Sequence, residues 1–410
     1  MAGSKTAAQG AIATQGVYPA RFSAAVPFMD TPTVQLDTTS REELLALVAR
    51  HGSPLLVLDC AVVRQQYRRL QAALPGVDLH YALKPLPEAA VVRALLAEGA
   101  WFDLATTGEV ELVVREGVPV ARCIHTHPIK REVDIRAALA HGVVTFVADN
   151  PDEITKFVPY PQARLLLRVA FRNTEAKCDL SRKFGCEPED VPALLAQARA
   201  QGVAITGLSF HVGSQAATPA MHVAAVTACI TLLQAAAAAG YVLDTLDIGG
   251  GFPVEYHEGA LAIEEFCAPI RTALQAVPAG VRVIAEPGRF IAAPAGLSLS
   301  TVMGRARRDG HWWYYLDDGL YGSFSGQLFD HARYPVVPLT AQGVAPAGPL
   351  LLSVLAGPTC DSIDVIAEGI GLPELVAGDV LLGRMMGAYT CSSATDFNFF
   401  PRARVLPVNF

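Results

Sequence analysis

Lys84 closes the apolar run Leu79-His80-Tyr81-Ala82-Leu83 and is followed at once by Pro85. An amine at a strand end, held partly out of water, can condense with a carbonyl to form a Schiff base. The plainer alternative is a surface lysine. Three glycines stand together in Asp247-Ile248-Gly249-Gly250-Gly251-Phe252-Pro253. Their N–H groups can converge on a phosphate, although a flexible turn would use the same residues, and the spacing is not the G-x-G-x-x-G of a dinucleotide site. Glu286-Pro287-Gly288-Arg289 sets a carboxylate near a guanidinium. Arg289 suits a charge-assisted bond to phosphate and Glu286 a protonated ring nitrogen, or the two form an internal ion pair. His211-Val212-Gly213-Ser214-Gln215 offers a flat imidazole for stacking and a hydroxyl for an anion, or else a structural histidine. Gly357-Pro358-Thr359-Cys360-Asp361 places a thiol beside a carboxylate, a pair able to move a proton at a pocket, or a buried cysteine beside a surface aspartate. His125 and His127 alternate as two zinc ligands might, but no third ligand follows at metal-site spacing, so no metal is expected. Taken together, an amine anchor, an anion cradle and a carboxylate for a ring nitrogen are what pyridoxal 5′-phosphate requires.

Most of these residues sit at the C-terminal ends of short β-rich runs. The runs are 79–84, 101–106, 123–128, 144–149, 165–171, 207–213, 246–251 and 281–289. Stretches of helical periodicity lie between most of them, which implies a parallel sheet with helices outside. Eight such units fit a (β/α)8 barrel better than an open sheet, and barrels carry their sites at the C-terminal rim. Residues 41–51 read as a helix and 55–59 as a strand. Beyond residue 297 the runs are short, with Gly and Pro between them and only a brief helical stretch near 363–370, so this part is expected to be mostly β. The expected organisation is a flexible tail over 1–35, a barrel over 60–296, and a β domain built from 36–59 and 297–410.

The chain has 410 residues, 51% hydrophobic and 17% charged, which excludes a disordered protein. Its formal net charge of −7 argues against a nucleic-acid partner. The apolar stretch 223–240 contains Thr227, Thr231 and Gln234 and reads as a packed amphipathic helix, not a membrane span. The first 29 residues lack the basic-then-apolar order of a secretory signal. Eight scattered cysteines without a C-x-x-C pair suit reduced thiols in the cytoplasm.

The motifs HYALK, FDLATTGE, SRKFG, SFHVGSQ, DIGGGFP, AEPGRF, DDGLYGSF, FDHA, GPTCDS and MGAYT, in this order, resemble the ornithine decarboxylase family. These are fold-type III pyridoxal-phosphate enzymes with an alanine-racemase-like barrel and a β domain. The resemblance runs from about residue 40 to the C-terminus. It implies that Lys84 holds the cofactor, that Glu286 pairs with its ring nitrogen, and that His211 stacks on the ring. Ser214, Gly250, Gly251, Arg289 and Tyr389 would bind the phosphate, with Pro287 and Gly288 in the same turn. Asp103 and Arg168 would shape the pocket beside Lys84. Cys360 would return a proton to the substrate, while Asp361 and Asp330, with Phe329 and Tyr389 beside them, would receive its side chain and distal amine. The resemblance also implies a homodimer whose two sites share Cys360 and Asp361 across the interface, with Lys183 and Asp364 pairing there. The implied reaction is decarboxylation of L-ornithine to putrescine, with lysine to cadaverine close behind. A modified diamino acid as substrate and a non-catalytic regulatory homologue are the alternatives.

The chain departs from the family pattern at three places. Pro85-Leu86 follows Lys84 where a small residue and Asn are usual. His125-Thr126-His127-Pro128 replaces an Asn-Pro pair. Arg333 lies three residues after Asp330, where it could neutralise that aspartate or attract a substrate carboxylate.

Overall fold

The computed structural model describes residues 37–38, 40–171, 182–256, 261–339 and 349–410. The tail expected over 1–35 lies outside the described residues, as does Cys178. Eight parallel strands close into a barrel: Asp78–Ala82, Trp101–Leu104, Cys123–His125, Thr145–Ala148, Arg164–Arg168, Ala204–Ser209, Thr245–Asp247 and Arg282–Ala285. The last strand returns to the first through the pairs Asp78↔Ile284 and Leu79↔Ala285. Strands covered on both faces are apolar nearly throughout, as in Leu165-Leu166-Leu167. Ile124, Val147, Leu166 and Ile284 fill the barrel interior. A helix precedes each strand, and several start on a side-chain cap. Asp59 accepts from the Ala61 and Val62 N–H groups at the start of Cys60–Ala73, and Thr106 accepts from Glu109 N at the start of Thr107–Arg115.

All eight barrel strands lie within or next to the runs read from the sequence, and each stops short of its run's end. Lys84 lies two residues beyond Ala82, and the glycines of 249–251 lie wholly outside Thr245–Asp247. The physical reason is local. Pro85, Pro128 and Pro287 have no N–H for a ladder, and Gly249 and Gly251 take positive φ angles of 64° and 95°. The rim therefore consists of loops whose backbone groups remain free to meet a ligand.

The helix Ala220–Ala238 has the length and apolarity of a membrane span. Its buried residues nevertheless recur at helical spacing, through His222, Ala225, Val226, Cys229, Ile230, Leu233 and Ala236, and pack one face on the barrel. Thr227, Thr231 and Gln234 face water.

Among the described residues, the strands outside the barrel form an eight-stranded sheet. Its centre is the long strand Gly296–Arg308, which pairs antiparallel with Leu55–Asp59 and Val380–Gly383 near its start and with His311–Leu316 near its end. Leu55–Asp59 also runs parallel to Arg404–Val408. That contact is locked by Asn409 Nδ2, which donates to Asp59 Oδ2 at 2.9 Å, and by Arg64 Nη2, which donates to the Asn409 carbonyl at 2.9 Å. Alternate residues of Leu55–Asp59 enter different cores: Leu55 and Val57 one side of the sheet, Leu56 the other, and Leu58 the barrel's own cluster. The brief helix expected near 363–370 is instead the strand Val365–Leu372, antiparallel to Leu351–Ala356. Gly369 and Gly371 and the β-branched Val365, Ile366 and Ile370 disfavour a helix there.

Leu299 is fully buried where the two paired strands meet. Leu299→Ala should lower the unfolding free energy by about 2–5 kcal/mol, read as a shift of the urea midpoint. The same truncation at exposed Val242 should shift it little.

Candidate active site

The rim loops converge on one open cleft, lined among others by Ala82, Lys84, His211, Ser214, Gly250, Gly251, Glu286, Gly288, Arg289 and Tyr389. Lys84 enters it from the turn after the first barrel strand, pinned by the Leu83 N–H donating to the Asp103 carbonyl at 3.1 Å. Its Nζ lies 3.9 Å from Asp103 Oδ2. The side chain is 40% exposed, so water and small reactants reach the amine. Burial among protein groups pulls the Lys84 pKa down, but Asp103, Tyr389 and Glu286 outweigh it and hold it above the ordinary lysine range.

Three buried carboxyls gather at this end of the cleft, Asp103 and Glu286 acting on Lys84 and Asp247 on Glu286. Asp103 accepts a hydrogen bond from Thr126 Oγ1. Asp247 accepts from the Gly249 N–H at 2.9 Å. Glu286 is fixed through its own N–H, which donates to the Gly249 carbonyl at 2.8 Å. Burial pushes all three upward. Asp247 rises to about 6, and Asp103 and Glu286 rise well above the usual carboxylate range, each further raised by a neighbouring carboxyl. Among the described residues two cations answer them, Lys84 and the half-buried Arg168, whose Cζ stands 5.5 Å from the Phe184 ring. One proton shared among the carboxyls brings the five groups to neutrality.

His211 is held neutral by burial, with Arg168 and Lys84 as nearby positive charges. Its Nδ1 accepts from the Gly213 N–H at 3.0 Å, which leaves Nε2 carrying the proton. The adjoining turn tolerates no side chain. A Cβ on Gly250 would stand 2.7 Å from the Glu286 carbonyl and 3.1 Å from His211 Nε2, and one on Gly251 would stand 2.4 Å from the Gly213 carbonyl. Gly288 is equally confined, 2.6 Å from Pro85 Cγ, while the Pro287 carbonyl accepts from Ala82 N at 3.1 Å. Beside this turn Arg289 donates to Ser214 Oγ at 3.0 and 3.3 Å and to Tyr256 Oη at 2.7 Å, with the Tyr389 ring 4.7 Å from its Cζ. A guanidinium, a hydroxyl and a side-chain-free turn at one end, and a reachable amine and a proton-bearing carboxyl at the other, fit a phosphorylated pyridine aldehyde.

The cleft thus gathers Lys84, Asp103, His211, Ser214, Gly250, Gly251, Glu286, Gly288, Arg289 and Tyr389, with Arg168 beside them. Asp330 reaches it as well, ion-paired with Arg289. Arg333, read as a possible neutraliser of Asp330, is exposed, and Arg289 takes that part. Phe329 projects outward at 63% exposure. Cys360 and Asp361 do not line the cleft. They sit in the β region, with the Cys360 N–H donating to Asn398 Oδ1 at 3.1 Å and Asp361 accepting from Tyr321 Oη. Asp364 is buried and accepts from Leu320 N, Thr359 N and Thr359 Oγ1 of its own chain, whereas Lys183 is exposed above Phe184. His125 and His127 belong to no group of three candidate metal ligands among the described residues. They border a broader hollow beyond Asp103, whose cations are already paired: Lys130 and Lys156 with Glu153, and Arg131 with Asp134.

Four contributors were not singled out from the sequence: Thr126, Asp247, Tyr256 and His222. Asp247 carried a usable signal, as an acid heading the triple glycine. His222 had none. It lies fully buried beneath the turn, its Nε2 3.0 Å from the Gly250 carbonyl and its ring stacked on Phe252. Burial pushes its pKa down to about 4. The unfolded chain takes up that proton below about pH 6.5 and the folded chain only near 4, so stability falls as pH drops through this window, by on the order of 3 kcal/mol for this group. Urea unfolding between pH 7 and 4 should therefore be flatter for His222→Phe. Gly250→Ala should weaken cofactor binding at least ~10-fold, read from the bound cofactor's visible absorption, because the added methyl occupies the cradle.

Comparison with known proteins agrees with this geometry. The family described as pyridoxal-dependent decarboxylase, pyridoxal binding domain, matches residues 60–293. The lysine/ornithine decarboxylase of Selenomonas ruminantium is 36% identical over 363 residues, covering 88% of this chain and 91% of that protein. Crystal structures of lysine/ornithine decarboxylase from Vibrio vulnificus, complexed with putrescine or with cadaverine, are 54% identical and superpose with TM-scores of 0.85 and 0.86. They cover 91% of this chain, which covers 99% and 97% of theirs. The chain belongs to the pyridoxal-dependent decarboxylases, enzymes that remove the carboxyl group of an amino acid with pyridoxal 5′-phosphate as cofactor.

Proposed function

We propose that this decarboxylase acts on basic amino acids with a distal amine, L-ornithine first and L-lysine beside it, to release putrescine and cadaverine. The observation that carries the reading is the single cleft joining the Lys84 amine, the Glu286 carboxyl and the Arg289–glycine cradle. The substrate class draws support from the two diamines bound in the Vibrio vulnificus structures. One methylene in a pocket discriminates by only ~1–3 kcal/mol, so both chain lengths are expected to turn over.

Pyridoxal phosphate, when bound, supplies the electron sink that accepts the pair left behind by carbon dioxide. The protein's own groups do the rest. Lys84 Nζ offers the covalent anchor, and Asp103, itself held by Thr126, positions that amine. Glu286 brings a proton to the ring nitrogen and then remains beside it as a carboxylate, keeping the ring electron-poor. Neutral His211 stacks without adding a competing charge. Gly250, Gly251, Ser214, Arg289 and Tyr389 grip the phosphate, with Pro287 and Gly288 shaping the same turn. Asp330 faces the substrate's distal end.

Cys360 and Asp361 complete the site from a second copy of the chain, Cys360 Sγ returning a proton to the substrate's α-carbon and Asp361 binding its distal ammonium. Their place outside their own cleft, with Cys360 exposed and Asp361 half-buried, supports this head-to-tail dimer. The seven described cysteines are all free thiols, as suits a protein of the reducing cytoplasm.

Lys84→Ala should abolish carbon dioxide release and the bound cofactor's visible band together. Asp361→Ala should raise KM for ornithine far more than it weakens cofactor binding. Mixing inactive Lys84→Ala with Cys360→Ala, whose protonation step is slowed or misdirected, should restore diamine formation up to about a quarter of wild type, because half of randomly paired dimers carry one intact site. Absence of recovery after verified subunit exchange would rule out shared sites. Carbon dioxide release from a panel of ornithine, lysine, arginine and diaminopimelate fixes the substrate order.

A further inference from the structure

Arg289 is required by two anions. Its Nε and Nη2 donate to Ser214 Oγ, its Nη1 to Tyr256 Oη, and its Nη2 also to Asp330 Oδ2. These bonds use four of the guanidinium's five N–H groups. The side chains of Arg289 and Asp330 are 5% and 14% exposed, so solvent screens the pair little. A phosphate dianion beside Arg289 asks for at least two of those donors. Ser214 can turn its hydroxyl from acceptor to donor and bond the phosphate itself. Asp330 has no such option, because an ionised carboxylate only accepts. Held where it is, it would face the dianion across one guanidinium as a like charge in a sheltered site.

We propose that Asp330 and the cofactor phosphate compete for Arg289, so that the Asp330 carboxylate has two positions, one on the guanidinium and one turned to the distal ammonium of the substrate. This rests on Arg289 being a phosphate ligand. Asp330 follows directly on the short helical turn Gly326–Phe329, with its own N–H donating to the Gly326 carbonyl at 3.0 Å, so the backbone stays anchored while the side chain exchanges partners. Phosphate at Arg289 releases the carboxylate that the substrate needs, and a substrate ammonium that holds the carboxylate leaves Arg289 to the phosphate. Each ligand thereby favours the other, as linkage requires.

The test titrates the full chain, stripped of cofactor, with pyridoxal 5′-phosphate and separately with pyridoxal, which lacks the phosphate, following visible absorption. Asp330→Asn should tighten pyridoxal phosphate binding by about tenfold, one ion-pair competitor being removed, and leave pyridoxal binding unchanged. Asp330→Ser, verified as folded by circular dichroism, should give the same sign. Arg289→Ala should weaken pyridoxal phosphate binding. Unchanged or weaker phosphate-ester binding in both Asp330 variants, with Arg289→Ala still impaired, would overturn the competition and leave the phosphate role of Arg289 standing. Equal tightening of pyridoxal and its phosphate would also overturn it, since the effect would not pass through the phosphate. No effect of Arg289→Ala would remove the phosphate role and the competition together.

Discussion

A charged amine at the mouth of this barrel persists because carboxylates surround it. Burial disfavours the charged form of Lys84 and of Asp103, Glu286 and Asp247 alike, and for Lys84 the nearby Asp103, Tyr389 and Glu286 outweigh it. Placed together with Arg168, they form a cluster whose charge closes only when one carboxyl stays protonated. That balance gives the site its two chemical poles, a lysine whose proton a neighbouring carboxylate can take before the amine condenses, and a carboxyl with a proton to give. Most other features of the rim hold the cluster in register. Thr126 orients Asp103, Gly249 ties Asp247 to Glu286, and the Leu83–Asp103 backbone bond fixes the turn that presents Lys84.

The phosphate end depends on steric exclusion instead of charge balance. The turn at 249–251 packs backbone on backbone, so a single methyl would displace either Glu286 or His211, members of the other pole. Beneath it His222 acts as an uncharged strut. The two halves of the cofactor site are therefore mechanically joined, and a substitution in the cradle is felt at the ring nitrogen.

Much of this was legible in the sequence, for a physical reason. In a parallel barrel the C-terminal strand ends must face one rim, so short motifs such as Lys84, Gly249–Gly251 and Glu286–Arg289 could be placed together from strand order alone. What could not be read joins residues with no shared strand register. Tyr256 and Asp330 reach Arg289 from separate loops, and nothing in either local sequence announces it. Asp364 carries no local mark of its burial, and only the fold shows its carboxylate bonded to Thr359 and Leu320. The strand Val365–Leu372 reads as a brief helix in the sequence because its apolar positions admit both periods over so short a window. The runs overshot their strands because apolar composition does not mark where proline and glycine release the backbone from the ladder.

The pairing of Leu55–Asp59 with Arg404–Val408 has a consequence for biosynthesis. The Asp59–Asn409 bond spans 350 residues, so at ribosomal speed the early strand waits roughly 20–70 s for its neighbour to emerge. Throughout that interval a wholly apolar ribbon, Leu55-Leu56-Val57-Leu58, has an open edge on the nascent polypeptide. Co-translational folding must begin without it, and chaperone demand should concentrate on this segment until the final β-strand arrives.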